Sequence, residues 1–281
     1  MGLIFRSIIS ILFLGAIWAL GSCSSEVETS RNAEPPVAII PRAAPPRPAP
    51  GSGIPNLQSE ILDDRNKVTT SPIGNFDFKN FSFELPRGWE NPDRSEIRLI
   101  DGRVAPVSID IDDDMTGDEK AERKALRRIG LSYVTTKYLD LTGDDIHEAI
   151  VILKIETGGA AIPQVVYVYS WKDDKPELIW LFRTGDRADG GLKDLRPDSG
   201  NLVVELYGQD RFILGQTETG KVTGDEEQLC CPTFFTRSVY KWNGRNFLMQ
   251  GKRLTFSVAN PSAPPQENLG DKINAAAKPK K

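Results

Sequence analysis

Between positions 138 and 155 the chain reads Tyr-Leu-Asp-Leu-Thr-Gly-Asp-Asp-Ile-His-Glu-Ala-Ile-Val-Ile-Leu-Lys-Ile. Ala149, Val151, Leu153 and Ile155 alternate with Ile150, Ile152 and Lys154, so apolar side chains fall on both faces of an extended chain. A strand with one wetted face alternates apolar with polar, and this one predicts a central strand covered on both sides. Around it, short runs rich in β-branched and aromatic residues recur. They lie at 76–85, 96–100, 107–111, 165–171, 178–182, 202–207, 211–214, 234–242 and 245–249. Local turns are expected to join them as hairpins: a longer turn at 172–176, Gly208-Gln209-Asp210 between 202–207 and 211–214, and Asn243-Gly244 as a two-residue primed turn. One helix is predicted. Thr116-Gly-Asp-Glu119 has the capping-box pattern, Ala121, Ala125, Leu126 and Ile129 form an apolar stripe, and Gly130 serves as the stop. Many short strands with a single helix predict a mainly β fold: one antiparallel β-sandwich or curved meander over residues 75–255.

The rest of the chain lacks this pattern. Eight prolines crowd the stretch from Pro35 to Pro55, which has too little apolar surface to fold. Residues 23–74 are therefore expected to be a disordered tether, and 256–281, with Pro261, Pro264, Pro265 and a Lys-rich end, a disordered tail. Residues 1–22 carry one charge, Arg6, ahead of an apolar run from Ile8 to Leu20 that is short for a spanning helix. This is the order of a targeting segment. The chain has 35 Lys and Arg against 39 Asp and Glu, a net charge of −4, and a single His. Such a mixed, mildly acidic surface favours neither nucleic acid nor anionic lipid as a partner.

Candidate chemistry is sparse. Asp140, Thr142, Asp144, Ile146 and Glu148 occupy positions one, three, five, seven and nine of a short loop, with Ile146 contributing its carbonyl. That spacing can supply the oxygen ligands calcium requires. It equally suits a tight turn in which Asp140 and Thr142 bond nearby amides and Gly143 takes a positive φ. Cys230 and Cys231 are adjacent and followed by Pro232; outside the cytosol they could close a strained vicinal disulfide or stay as thiols. Residues 185–191, Gly-Asp-Arg-Ala-Asp-Gly-Gly, form a polar loop without phosphate-loop spacing. His147 lies beside Glu148 with neither a nucleophile elbow nor zinc spacing, so no enzyme signature stands out. Trp171, Trp180, Tyr167, Tyr169 and Phe182 sit inside two-faced strands and read as core rather than as a sugar platform.

Two resemblances extend this reading. Leu20-Gly21-Ser22-Cys23 resembles the bacterial lipobox, which implies lipidation of Cys23 as the first mature residue. Ser24 after it then implies the outer membrane, facing the periplasm, in a cell with two membranes. Several acyl chains anchor stably where one does not. The acidic turn resembles the Asp-x-Asp-Gly-Asp-Gly-x-x-Glu hairpins of FG-GAP-like repeats, some of which hold calcium; Thr142 and Asp145 depart from that pattern. Together with the Cys-Cys-Pro-Thr and Trp-Asn-Gly stretches, it also resembles a group of bacterial envelope lipoproteins with no assigned activity, over about residues 76–250. The expected function is a lipid-anchored, non-enzymatic β domain with a binding or structural role toward an envelope protein or polymer. A calcium-dependent ligand binder and a divergent hydrolase are the alternatives.

Overall fold

The computed structural model describes residues 61–159, 161–219 and 231–267. Its aromatic opening is not one strand. Pro72–Asn75 and Phe78–Asn80 are 3-10 turns, and only Ser82–Glu84 (β1) is extended, paired antiparallel with Glu96–Arg98 (β2). Proline at the head of the first turn presets its φ, and the Asp77 carboxylate accepts the Lys79 amide at 3.0 Å to close the second. Arg103–Val104 (β3) follows. Residues 107–111, expected as a strand, are irregular except for a bridge between Val107 and Arg128.

The helix, Gly117–Leu126 (α1), has the predicted capping box: the Glu119 amide donates to Thr116 Oγ1 at 3.3 Å, and the Thr116 amide to Glu119 Oε2 at 2.8 Å. Its stripe buries nothing, and Leu126 is 54% exposed. Two alanines and one leucine are too small a face to dock a helix this charged, so the cap stands in for packing. Gly130 is not the stop either. It begins the next strand, where a Cβ would lie 2.1 Å from the Val104 carbonyl oxygen.

Gly130–Leu139 (β4), Glu148–Glu156 (β5), Gln164–Lys172 (β6) and Lys175–Arg183 (β7) then run as an antiparallel meander. Leu192–Asp198 (β8) and Asn201–Tyr207 (β9) open a second sheet as a hairpin. The chain returns to the first sheet through the short hairpin Phe212–Leu214 (β10) and Thr217–Thr219 (β11). β11 meets β7 in parallel at Thr217 and Arg183. Phe234–Trp242 (β12), Phe247–Ser257 (β13) and Gln266–Glu267 (β14) complete the second sheet. The orders are β10-β11-β7-β6-β5-β4-β3 and β14-β13-β12-β9-β8.

The fold is thus mainly β and antiparallel but for that one parallel contact, with one helix among the described residues. The expected pairing of 202–207 with 211–214 is corrected. Gly208 at φ 100° and Asp210 at φ 56° swing the chain out of one sheet and into the other. The two turn expectations also exchange places. Asp173 and Asp174, at φ 48° and 57°, make the two-residue primed turn, because Lys172 and Lys175 are register partners. At Asn243-Gly244 the loop has four residues, since Asn243 Oδ1 accepts the amides of Arg245 at 3.0 Å and Asn246 at 2.8 Å.

β5 explains the layering. Ile150 and Ile152, with Val166, Val168 and Phe182, face Leu195, Leu202, Val204, Leu206 and Tyr240 of the second sheet. Val151, Leu153, Val165 and Tyr167 face Ile73, Phe78, Phe83 and Leu99 of the N-terminal layer. The two-sided strand is central because something apolar covers each side of it. The fold reaches beyond positions 75 and 255. Ile61 and Ile73 are 1% and 0% exposed, and buried Lys137 places its Nζ 3.7 Å from Asp63 and 3.8 Å from Asp194. At the other end Gln266 and Glu267 pair with Thr255 and Leu254. The remainder of the expected tether and tail lies outside the described residues.

Candidate binding site

The acidic turn is closed by its own backbone. Asp140 accepts the amides of Gly143 at 2.7 Å and Asp145 at 3.2 Å, and Asp144 accepts that of Ile146 at 3.0 Å. Glu148, 1% exposed, takes the Leu141 amide at 2.6 Å, the Thr142 amide at 3.2 Å and the Thr142 hydroxyl at 3.2 Å. Gly143 has the expected positive φ, 81°, and Asp145 sits at 64°. Asp140, Asp144 and Glu148 thus cap amides of their own loop, the Thr142 hydroxyl donates to Glu148, and Ile146 enters the network through its amide, an arrangement that matches the tight-turn expectation. Among the described residues no three His, Cys, Asp or Glu side chains group as a metal would require. His147 is tied into the N-terminal layer: its Nδ1 lies 2.9 Å from Thr69 Oγ1, and its amide donates to Ser71 Oγ at 2.9 Å.

Burial pushes Glu148 up to about 7, against the bonds from Leu141 and Thr142 that pull it down. The fold therefore binds this proton more tightly than the unfolded chain does, and its contribution to stability is lost as pH rises from about 4.5 through about 7. Glu218, also raised to about 7 by burial, acts in the same window. Glu148→Gln should flatten the fall in melting temperature between pH 5 and 8 by a few degrees; a slope identical to the native chain's would refute this.

The 185–191 loop is a knitted connection, not a cradle. Gly185 donates to the Gly190 carbonyl at 2.9 Å, Asp186 and Asp189 bridge each other, and Ala188 is fully buried. Beside it lies a pair the sequence did not single out: Arg211, 6% exposed, donates to Glu218 at 2.8 Å and to Asp189. Cys231 is exposed, and its neighbour Cys230 lies outside the described residues, as does Cys23.

A cleft opens where the free side of β7 meets the β12–β13 hairpin. It holds about 380 Å³. Ile179, Trp180, Ile213, Tyr240 and Phe247 line it together with Gln216 and Asn246, and Leu178 and Leu181, which pack into the N-terminal layer on the opposite face of the sheet, border it. Trp180 has its ring centroid 4.8 Å from that of Phe247, stacked at 20°, and 5.0 Å from that of Tyr240. The Tyr240 hydroxyl accepts the Ile213 amide at 3.1 Å, and burial, outweighing that bond, raises its pKa above the ordinary tyrosine value, so it moves no proton near neutrality. Of the other aromatics expected in the core, Tyr167, Tyr169 and Phe182 are 0%, 4% and 0% exposed, and Trp171 is partly buried against the N-terminal layer.

No protein family, curated protein or solved structure matches the chain. The cleft therefore has to be read from its own chemistry. Its lining contains no carboxylate, imidazole, thiol, ammonium or guanidinium group. Sequence reasoning missed it and read Trp180 as core, because the lining comes from three hairpins separated in the chain. The one available signal was the aromatic pair Trp242 and Phe247 flanking Asn243-Gly244.

Proposed function

We propose that the chain is a lipid-anchored protein of the bacterial envelope whose β domain works as a binding module rather than an enzyme. The observation that carries the binding role is the cleft: aromatic side chains beside two side-chain amides, and no side chain in its lining that could act as acid, base or nucleophile near neutral pH. Anchoring rests on Leu20-Gly21-Ser22-Cys23 at the end of an apolar run. Among the described residues no helix is long and apolar enough to cross a membrane. Diacylation at Cys23 would supply the attachment, and in a cell with two membranes Ser24 directs the protein to the outer one.

One experiment in intact cells checks both halves. With the photocrosslinker p-benzoylphenylalanine in place of Asn246, illumination should yield a discrete crosslinked product in the membrane fraction. In the background of Cys23→Ala the protein should leave that fraction, and the product should go with it. A soluble native chain would refute the anchor; absence of any product at position 246 would refute the binding role of the cleft.

A further inference from the structure

We infer that the cleft receives an extended, uncharged peptide segment, added as a strand to the free edge of β7; this rests on the reading of the cleft as a binding site. β7 touches β11 only at its far end, where Thr217 is the register partner of Arg183 and the Arg183 amide donates to the Gln216 carbonyl at 2.9 Å. From Lys175 to Phe182 no described strand lies along the outer side of β7. Alternate residues of a strand direct their N–H and C=O groups to that side. Such a row of donors and acceptors is matched by another extended backbone and by little else.

The same stretch, from Leu178 to Leu181, lines the cleft, with Ile179 and Trp180 on its side of the sheet. Backbone pairing and side-chain insertion would therefore occur together, with one apolar side chain of the segment entering the cleft beside the Trp180–Phe247 stack. Trp180, enclosed by Phe182, Tyr240 and Phe247 at centroid distances of 4.6, 5.0 and 4.8 Å, is a wall for that side chain rather than an open platform. Because no lining residue is charged, a charged insert would lose hydration without compensation. β11 is already in line along the same edge, and its turn at Gly215 and Gln216 closes one end of the groove.

Length selects a peptide over a second copy of the chain. Pro176 has no N–H to offer, and the register shift between Val168 and Tyr169 leaves Ile179 without a cross-strand partner. Only a few residues of edge remain usable. A stable homodimer buries roughly 800 Å² on each partner, which so short an edge does not provide.

The test uses the full chain in detergent micelles and the capped peptide acetyl-Thr-Val-Phe-Val-Thr-amide. Two further versions carry N-methyl groups on one or the other set of alternate amides. The unmodified peptide should shift tryptophan fluorescence and slow amide exchange over residues 175–182. One N-methylated version should bind at least tenfold more weakly and the other as well as the parent, because a docked strand uses one set of its amides. Equal binding by all three would overturn strand addition while leaving the cleft a binding site. Binding by none would overturn the proposal, as would a concentration-dependent dimer already protecting residues 175–182.

Discussion

Glu205→Ala should lower the stability of the fold by about 3 kcal/mol, read as a shift of the denaturant midpoint. The side chain is 1% exposed on β9 and gathers three cations: Lys193 at 2.7 Å, Arg196 at 2.8 Å and Arg237 at 2.7 Å. Removing the carboxylate leaves those charges facing one another, with Asp194 still pairing with Arg196 at 2.9 Å. The expected loss lies at the low end for a broken buried network because Arg196 and Arg237 keep 28% and 34% exposure and regain some hydration. Burial raises the pKa of Glu205, but the bonds from Arg196 and Lys193 together outweigh it and hold the carboxyl below its ordinary value. Its stabilisation is therefore present above about pH 4.5 and lost as pH falls through the depressed value, opposite in sign to Glu148. Glu205→Gln, which keeps an acceptor but no charge, should fall between the native chain and the alanine variant. If alanine costs less than about 0.5 kcal/mol, the network does not hold the sheet.

Phe83→Ala should cost about 3–5 kcal/mol, and it asks whether the N-terminal layer is integral to the fold. Phe83 is fully buried, with its ring 4.9 Å from Tyr167, 5.2 Å from Phe81 and 6.3 Å from Tyr169. Tyr167 is held in turn by its hydroxyl, which donates to the Glu84 carbonyl at 2.7 Å. The void left by the phenyl ring would therefore sit between two layers, where neither can collapse freely. Far-ultraviolet circular dichroism and tryptophan fluorescence should report one coincident transition at lower denaturant. Two separated transitions would show instead that residues 61–104 unfold apart from the sheets.

What the sequence made legible was the centre. β5 declared itself by apolar residues on both faces, and the structure covers both. Local chemistry was legible too: the Thr116–Glu119 cap and the positive φ at Gly143 follow from side chains a few residues apart. Misreadings arose where a local signal competed with a distant one. Gly130 resembles a helix stop, but it is glycine because residues 104–106 cross it closely. β8 escaped notice because Leu-Lys-Asp-Leu-Arg-Pro-Asp is polar and contains proline, a composition an edge strand tolerates. The acidic spacing reads two ways for a related reason: carboxylates placed to ligate an ion are equally placed to cap the amides of their own loop, as Asp140, Asp144 and Glu148 do. No local pattern announces the cleft, since pairing across the two sheets alone brings Trp180 and Phe247 together.

The excursion through β10 and β11 works as a stitch. The chain leaves the five-stranded sheet after β9, catches the edge of the seven-stranded one, and returns at β12. Its first leg is pinned to the five-stranded sheet, where the Asp210 and Arg211 amides donate to the Thr255 and Thr236 hydroxyls. Under the proposed binding role, a guest would meet a berth framed on one side by that stitch and have little ordering left to undergo on arrival.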